Sequence, residues 1–483
     1  MKKLASLLAI SAFVASTFTA ALAAKIPVLV IDSGTDFSHQ VLQPVSDPSK
    51  KEAAGQPNID DDNNGYKDDV YGWNFVENNP TLVDLKNTPK RYDDILRFME
   101  LMGLYQEVGK ENMPPEKFKE LVALYQDKEL APWNGFVGGW AHGTHCGGIM
   151  AENNDQIKMK AITHIPSGPA PSAREAQELL SLFNARLADL DVSLFGPKYK
   201  SIEENPMFPQ LKQYFKEMGI KAAQEVEPKA KYIGSLKPRV INCSWGTSNQ
   251  QLLKVFKQNM TQSWGYKNPT DEDVQKMVNL YVGSVQLRSS MVLFKYVPQA
   301  LIVIAAGNST EDNDKLVISP NDTPITNKLV VAATNHDRSI ADFSCFGATK
   351  VDIAVPGVNI YSTYPNGKMG YMSGTSMAAP LASKYASQVL AVNSKLTPQE
   401  LKQILMETVD KKDWLKGKVV SEGVINIQRA LAAAKSIKDG SSIESAISTA
   451  RENVPSTELD GPEISAPVFE SEFEKELYNS AVF

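Results

Sequence analysis

Three short segments hold residue types that together could cleave an acyl bond. Val28-Leu29-Val30-Ile31-Asp32-Ser33-Gly34 ends an apolar run on an acid. Ala141-His142-Gly143-Thr144-His145-Cys146-Gly147-Gly148 sets a histidine in a glycine-rich stretch that could open a helix. Met372-Ser373-Gly374-Thr375-Ser376-Met377-Ala378-Ala379-Pro380 sets a serine between a glycine turn and small helix-forming residues. A serine hydroxyl attacks poorly until a base takes its proton, and histidine is the natural base near neutral pH. The imidazole then needs a buried carboxylate on its other nitrogen, to hold its tautomer and stabilise the imidazolium. A helix start would expose the Ser376 oxygen and aim its N–H at a developing oxyanion. Each segment alone has a plain reading: a turn acid, a structural histidine, a Gly-Thr-Ser turn. The order acid, histidine, serine with these neighbours is far more specific.

The elements that must hold these residues are legible as apolar runs. Lys25–Ile31, Val240–Cys243, Ala300–Ala306 and Lys328–Ala333 are short and nearly continuous in apolar residues, as strands buried on both faces are. Long helix-capable stretches separate them, which predicts an α/β fold with a mostly parallel central sheet. In such sheets ligands bind beyond the carboxyl ends of the strands, where Asp32 falls. Ile95, Phe98, Met99, Met102 and Tyr105 recur at helical spacing, as do Phe118, Leu121 and Tyr125; Leu179, Leu180, Phe183 and Leu187; and Leu211, Tyr214, Phe215 and Met218. These stripes read as core-facing rather than as a cofactor or partner groove.

With these blocks in place the chain resembles the subtilisin-like serine peptidases, or subtilases. The stretches at 31–36, 142–146 and 373–380 look like the family's three signature blocks, and Ala305-Ala306-Gly307-Asn308 like a fourth. Further landmarks are Asp342-Phe343-Ser344, Ala354-Val355-Pro356-Gly357 and Gly423-Val424-Ile425-Asn426, so the resemblance runs from about Lys25 to about Ala434. It implies a three-layer α/β fold and a serine endopeptidase working through an acyl-enzyme. Ser376 would be the nucleophile, His142 the general base and then acid, and Asp32 its orienting partner. Asn308 and the Ser376 N–H would form the oxyanion hole. Ser244-Trp245-Gly246 resembles the segment that pairs with substrate backbone as an added strand, and Ala305, Ala306 and Gly307 would join it in binding substrate. Ile318, in Val317-Ile318-Ser319-Pro320, stands where small residues are common and would shorten the first specificity pocket. His145 and Asp36 read as structural. A non-catalytic scaffold on the same fold would not need all of Asp32, His142, Ser376 and Asn308. An esterase would need a Gly-x-Ser-x-Gly elbow, which is missing around Ser376.

A second constellation could hold a cation. Asp60-Asp61-Asp62-Asn63-Asn64-Gly65-Tyr66-Lys67-Asp68 alternates acids and amides around a glycine turn. It resembles the start of a calcium loop with Asp60, Asp62, Asn64, the Tyr66 carbonyl and Asp68 as ligands. Tyr71 stands at the twelfth position instead of Glu, and a solvated acidic turn is the plainer alternative. No cofactor is expected for catalysis.

The ends complete the organisation. Residues 1–24 read as a signal peptide, with Lys2 and Lys3, an apolar stretch and an Ala21-Leu22-Ala23 cleavage site, so a secreted or periplasmic peptidase is expected. Residues 25–435 would be the peptidase domain, with helical insertions at about 77–130, 165–230 and 250–298. The first strand follows the leader directly, leaving no room for the N-terminal prodomain usual in secreted subtilases. Cys146, Cys243 and Cys345 read as buried thiols, a disulfide between two of them remaining open. The formal charge is −6, from 50 basic and 56 acidic residues, which offers no basic excess for nucleic acid. Residues 436–483 form an acidic tail rich in Ser, Glu and Pro, for much of which a compact fold is not expected. Its aromatic Phe469, Phe473, Tyr478 and Phe483 nonetheless suggest that its last part docks on the peptidase body and assists folding.

Overall fold

Successive residues of the first strand, β1 (Ile26–Asp32), face opposite cores. Val28 and Val30 join one buried cluster, Leu29 and Ile31 the other, and all four are solvent-inaccessible or nearly so. A strand buried on both faces needs helices on both sides. A computed structural model describes residues 24–166, 202–204, 208–262, 268–336, 339–457, 471–480 and 482. The signal-peptide reading and the Leu179–Leu187 stripe lie outside these residues.

The further strands are β2 (Ile157–Thr163), β3 (Val240–Cys243), β4 (Leu301–Ala305), β5 (Lys328–Asn335), β6 (Ser339–Ile340), β7 (Ile353–Pro356), β8 (Ile360–Tyr364), β9 (Lys368–Met372), β10 (Asp410–Lys411) and β11 (Gly423–Val424). The main sheet runs β10-β11-β7-β5-β4-β3-β1-β2, with β6 beside β5. Its pairs are parallel except β10–β11 and β5–β6, which lie at an edge and beside β5. Strands β8 and β9 form a separate antiparallel hairpin. One face carries the helices Tyr92–Val108, Ala131–Ala151, Thr375–Val392 and Ile427–Lys438; the other is covered by the end of Phe208–Ser235 and by Leu287–Leu293. The expected α/β architecture with a mostly parallel sheet is therefore present.

Two boundaries differ from expectation. The limit at 435/436 falls inside the helix Ile427–Lys438. The helix Ile443–Asn453 follows, with Ala446, Ile447 and Ala450 buried, so this part of the acidic segment is folded. Its small apolar residues are spaced at i, i+1 and i+4, a stripe that the Ser/Glu composition conceals. His142, for its part, lies within the helix Ala131–Ala151 rather than opening one. The glycines that argue against helix are required by close packing. A Cβ on Gly143 would lie 2.2 Å from the Gly34 carbonyl, and one on Gly148 2.2 Å from Thr363 Oγ1. All three cysteines are buried and free.

Candidate active site

Strand β1 delivers Asp32 to the sheet's carboxyl edge, where the chain must turn at once. Gly34 makes this turn at φ +110°, with the Leu82 carbonyl where a Cβ would stand. The close approach of Gly143 to Gly34 brings the preceding residue onto Asp32. His142 Nδ1 lies 2.7 Å from Asp32 Oδ1, which also accepts the Ser33 N–H at 2.7 Å. Both side chains are buried. Burial opposes a charged imidazole, but the adjacent Asp32 carboxylate outweighs it and holds His142 well above the usual histidine range.

Ser376 is the second residue of the helix Thr375–Val392, as expected. Its hydroxyl donates to the Ser244 carbonyl at 3.1 Å, and among the described residues no hydrogen bond joins it to His142. Cys146 links the two segments: its Sγ lies 3.3 Å from the Ser376 carbonyl and 3.9 Å from His142 Nδ1. Burial pushes this thiol up, so it stays a neutral packing group.

Asn308 is oriented by a residue whose role the motif match did not assign. Its Oδ1 accepts both the Thr375 N–H at 2.9 Å and the Thr375 hydroxyl at 2.8 Å. A backbone N–H can only donate, so Oδ1 must face Thr375 and the amide nitrogen is turned away from it. Thr375 Oγ1 accepts the Gly307 N–H at 3.2 Å, tying the 305–308 segment to the helix start. A second unassigned network lies beneath Ser376. The Ser244 hydroxyl donates to the Ser376 carbonyl at 2.9 Å, Asn242 to the Ser244 hydroxyl at 3.0 Å, and Ser383 to Asn242 at 3.3 Å. A buried small polar residue at a strand or helix end carries no local signal for such a role.

The Ser244–Gly246 segment continues β3. The Trp245 indole donates to the Ile31 carbonyl at 2.9 Å and packs on His164, ring centroids 4.5 Å apart. A cavity of about 260 Å³ opens beside it, with Trp245, Gly246, Thr247, Ser319, Gln286 and His164 among its walls. Ile318 does not line this cavity. It is buried, its N–H donating to Asp322 at 2.9 Å, while Asn321 reaches the Ala305 and Ala306 carbonyls at 3.3 Å. His145 is buried against the Gly370 carbonyl and pushed down to about 3 by burial, in keeping with a structural role. Asp36 accepts from Ser38 and Asn366 and holds the turn after β1.

The acidic loop is arranged differently from its linear pattern. Asp60 is taken up by the Asn64 and Gly65 N–H groups, and Asp68 accepts from the Asn58 N–H. The Tyr66 ring packs among Trp73, Phe75 and Tyr232. The carboxylates that converge are Glu52, Asp62 and Asp69, with one oxygen of each within 4.8 Å of the others. Glu52 and Asp69 are buried. Asp69 Oδ2 accepts from Tyr232 at 2.6 Å and Asn64 at 3.0 Å, but Oδ1 is buried with no hydrogen-bond partner among the described residues. Burial pushes Asp69 up to about 6.

The model of the subtilase family matches residues 24–428, and the chain belongs to that family. A cell wall-associated protease of Bacillus subtilis is 36% identical over 148 residues, which is 30% of this chain and 16% of that protein. An extracellular basic protease of Dichelobacter nodosus is 36% identical over 145 residues, covering 28% and 23% of the two chains. Subtilisin-like protease 6 of Trichophyton rubrum is 34% identical over 152 residues, covering 31% and 36%. The matches thus span between 16% and 36% of these relatives' own length. Among solved structures, a cold-adapted subtilisin-like serine proteinase aligns over 83% of this chain and 86% of its own, at 16% identity and a TM-score of 0.39. The A-subunit of the AB5 toxin from E. coli aligns over 85% and 92%, at 17% identity and a TM-score of 0.41.

Proposed function

We propose that the chain is an exported serine endopeptidase with Asp32, His142 and Ser376 as its triad. The observation that carries this is the buried contact of His142 Nδ1 with Asp32 Oδ1 at 2.7 Å, with the Ser376 helix start packed against the same ring through Cys146. With Nδ1 taken by the carboxylate, Nε2 is left to accept a proton. Catalysis requires the Ser376 hydroxyl to turn from the Ser244 carbonyl toward that nitrogen. Attack on the scissile carbonyl then moves the hydroxyl proton to His142, and the imidazolium returns it to the leaving amine. Water repeats the cycle on the acyl-enzyme. The Asn308 amide and the Ser376 N–H receive the oxyanion. The main-chain groups of Trp245 and Gly246 carry no hydrogen bond among the described residues, which suits pairing with an extended peptide. Ala305–Gly307 form the facing wall.

Labelling by a fluorophosphonate, located by mass spectrometry, tests the assignment: a single adduct on Ser376 is expected, and no adduct would sink it. Asn308→Ala should cost ~10²–10³ in kcat, a magnitude known from subtilisin itself rather than derived from this geometry. Its KM should change little, because the amide meets charge that exists only after attack. A kcat within twofold of wild type would count against the role.

Export is supported by the leader pattern and by two relatives described as extracellular and cell wall-associated. No described helix is long and apolar enough to cross a membrane.

Structural calcium belongs to the same proposal, with Glu52, Asp62 and Asp69 replacing most of the ligand set drawn from the linear motif. Hard carboxylate oxygens and an orphaned buried Oδ1 suit such an ion. Asp69 has a folded pKa raised to about 6, so its neutral form is favoured and the ion-free protein loses stability as pH rises through 6. A bound cation removes that penalty. At about 100 times its Kd it adds about 2.7 kcal/mol. Chelation should therefore lower the unfolding midpoint by several degrees at pH 8 and much less at pH 5. Equal midpoints with and without chelator at pH 8 would refute it.

A further inference from the structure

Residues 472–479 form a short helix that meets the body through its apolar stripe and the buried Glu474. Leu477 is fully buried and Tyr478 is 3% exposed, while Glu472, Lys475, Glu476 and Asn479 face solvent. Tyr105 and Gln106 lie on the helix Tyr92–Val108 and Lys110 just beyond it, while Tyr125 and Asp342 come from other segments. The Tyr478 ring meets Tyr105 edge-on at 5.7 Å and Phe473 meets Tyr125 at 5.7 Å. Gln106 donates to the Tyr478 carbonyl at 2.8 Å, Lys110 pairs with Glu474 at 2.6 Å, and the Tyr478 hydroxyl donates to Asp342 at 3.3 Å. Beyond the helix, Val482 pairs with Ser373 as a parallel bridge.

Ser373 lies three residues before Ser376, and the chain between them sets the proposed oxyanion hole. Ser373 Oγ accepts the Asn359 N–H at 2.9 Å, Gly374 N–H donates to the Gly357 carbonyl at 2.8 Å, and Thr375 holds Asn308. The Tyr92–Val108 helix reaches this loop as well, since Asn359 donates to Glu107 at 2.5 Å. One insertion helix thus anchors both the 472–479 helix and the loop beneath Ser376.

We propose that residues 471–480 and 482 are a strap that positions the Gly374–Ser376 turn, with Tyr478 and Val482 as positioning residues. The inference rests on the reading of Ser376 as nucleophile. A displacement of ~1 Å at such a site costs on the order of 10²-fold in rate, and the Val482–Ser373 pairing restrains the strand that feeds the turn. Positioning of this kind acts on kcat, while the Trp245–Gly246 segment that would bind substrate is untouched.

The test begins from the full chain with a site-specific protease sequence placed within 461–466, so that the protein folds before the strap is cut. Release of the strap should lower kcat per titrated active site about tenfold, with KM within about twofold. Amide exchange at Ser373–Met377 should quicken about tenfold. Tyr478→Ala in the uncut chain should move both readouts the same way, and Tyr478→Phe should restore most of them. Unchanged kcat and unchanged exchange after release overturn the strap. A wild-type chain that neither hydrolyses peptides nor labels at Ser376 defeats the peptidase reading instead, and the exchange experiment still decides the strap.

Discussion

Replacing Ser376 by Ala should leave a folded protein whose turnover is lower by ~10⁶-fold, the scale known for this nucleophile in subtilisin itself. Ser376 Oγ is the group that would form and break the covalent bond to the acyl carbon, and neither Ser244 nor Thr375 can replace it. The Ser244 hydroxyl is committed to the Ser376 carbonyl and the Thr375 hydroxyl to Asn308. The fold should tolerate the change. Among the described residues the Ser376 hydroxyl makes one hydrogen bond, to the Ser244 carbonyl, whose loss costs about 1 kcal/mol. The helix start is held instead through the Ser376 carbonyl, which the substitution leaves in place with its Ser244 and Cys146 contacts. Peptide hydrolysis, fluorophosphonate labelling and the unfolding midpoint, measured on wild type and variant together, separate chemistry from folding. Mass spectrometry of both proteins would also show whether the wild type trims its own ends. An Ala variant hydrolysing within tenfold of wild type would place the nucleophile elsewhere.

What could be read from the sequence divides by the range of the interaction. Strands β1, β3, β4 and β5 were visible because each is a run of apolar residues whose burial on both faces leaves a local imprint. The segments around Asp32, His142, Ser376 and Asn308 stand out through their small residues, since close backbone approach demands glycine at positions such as Gly34 and Gly143. The helical state of Ala131–Ala151 was hidden for the same reason. Glycines that lower helix propensity are tolerated where neighbouring backbone and side chains press on them. The Glu52–Asp62–Asp69 convergence depends on how the loop closes, and Glu52 comes from a helix ahead of the motif, so linear spacing selects other acids. Thr375 and Asn242 act through contacts with Asn308 and Ser244 that no local pattern encodes. Tyr478 stands out as an aromatic in an acidic composition, which points to docking of this segment but not to where it docks. Its partners Tyr105, Gln106 and Asp342 are far away in the chain, and only the fold brings them to it.

Asp32→Asn is the second large effect, and its pH dependence tells more than its size. Turnover should fall on the order of 10⁴-fold, because an amide can hold His142 Nδ1 in the wrong tautomer and supplies no charge to the imidazolium. In the wild type the His142 pKa is raised, the Asp32 carboxylate prevailing over burial. A general base works only when neutral, so activity is lost as pH falls through that raised value. The acid limb should therefore lie alkaline of an ordinary histidine. With Asn at 32 the carboxylate is gone, burial disfavours the charged ring, and only the Cys146 contact still opposes it. The limb should then move to lower pH, even as the plateau drops. Stability changes with the opposite sense. A raised folded pKa contributes stability that is fully present below the unfolded histidine value and is lost as pH rises through the folded one. Asp32→Asn should thus destabilise the protein more at pH 5 than at pH 9. Profiles of kcat/KM and unfolding midpoints across that range test both limbs. An unshifted acid limb in the Asn variant would mean that the titrating base is not His142. The 2.7 Å contact would then be a structural pair, since a catalytic one cannot lose its carboxylate without moving the pKa of its base.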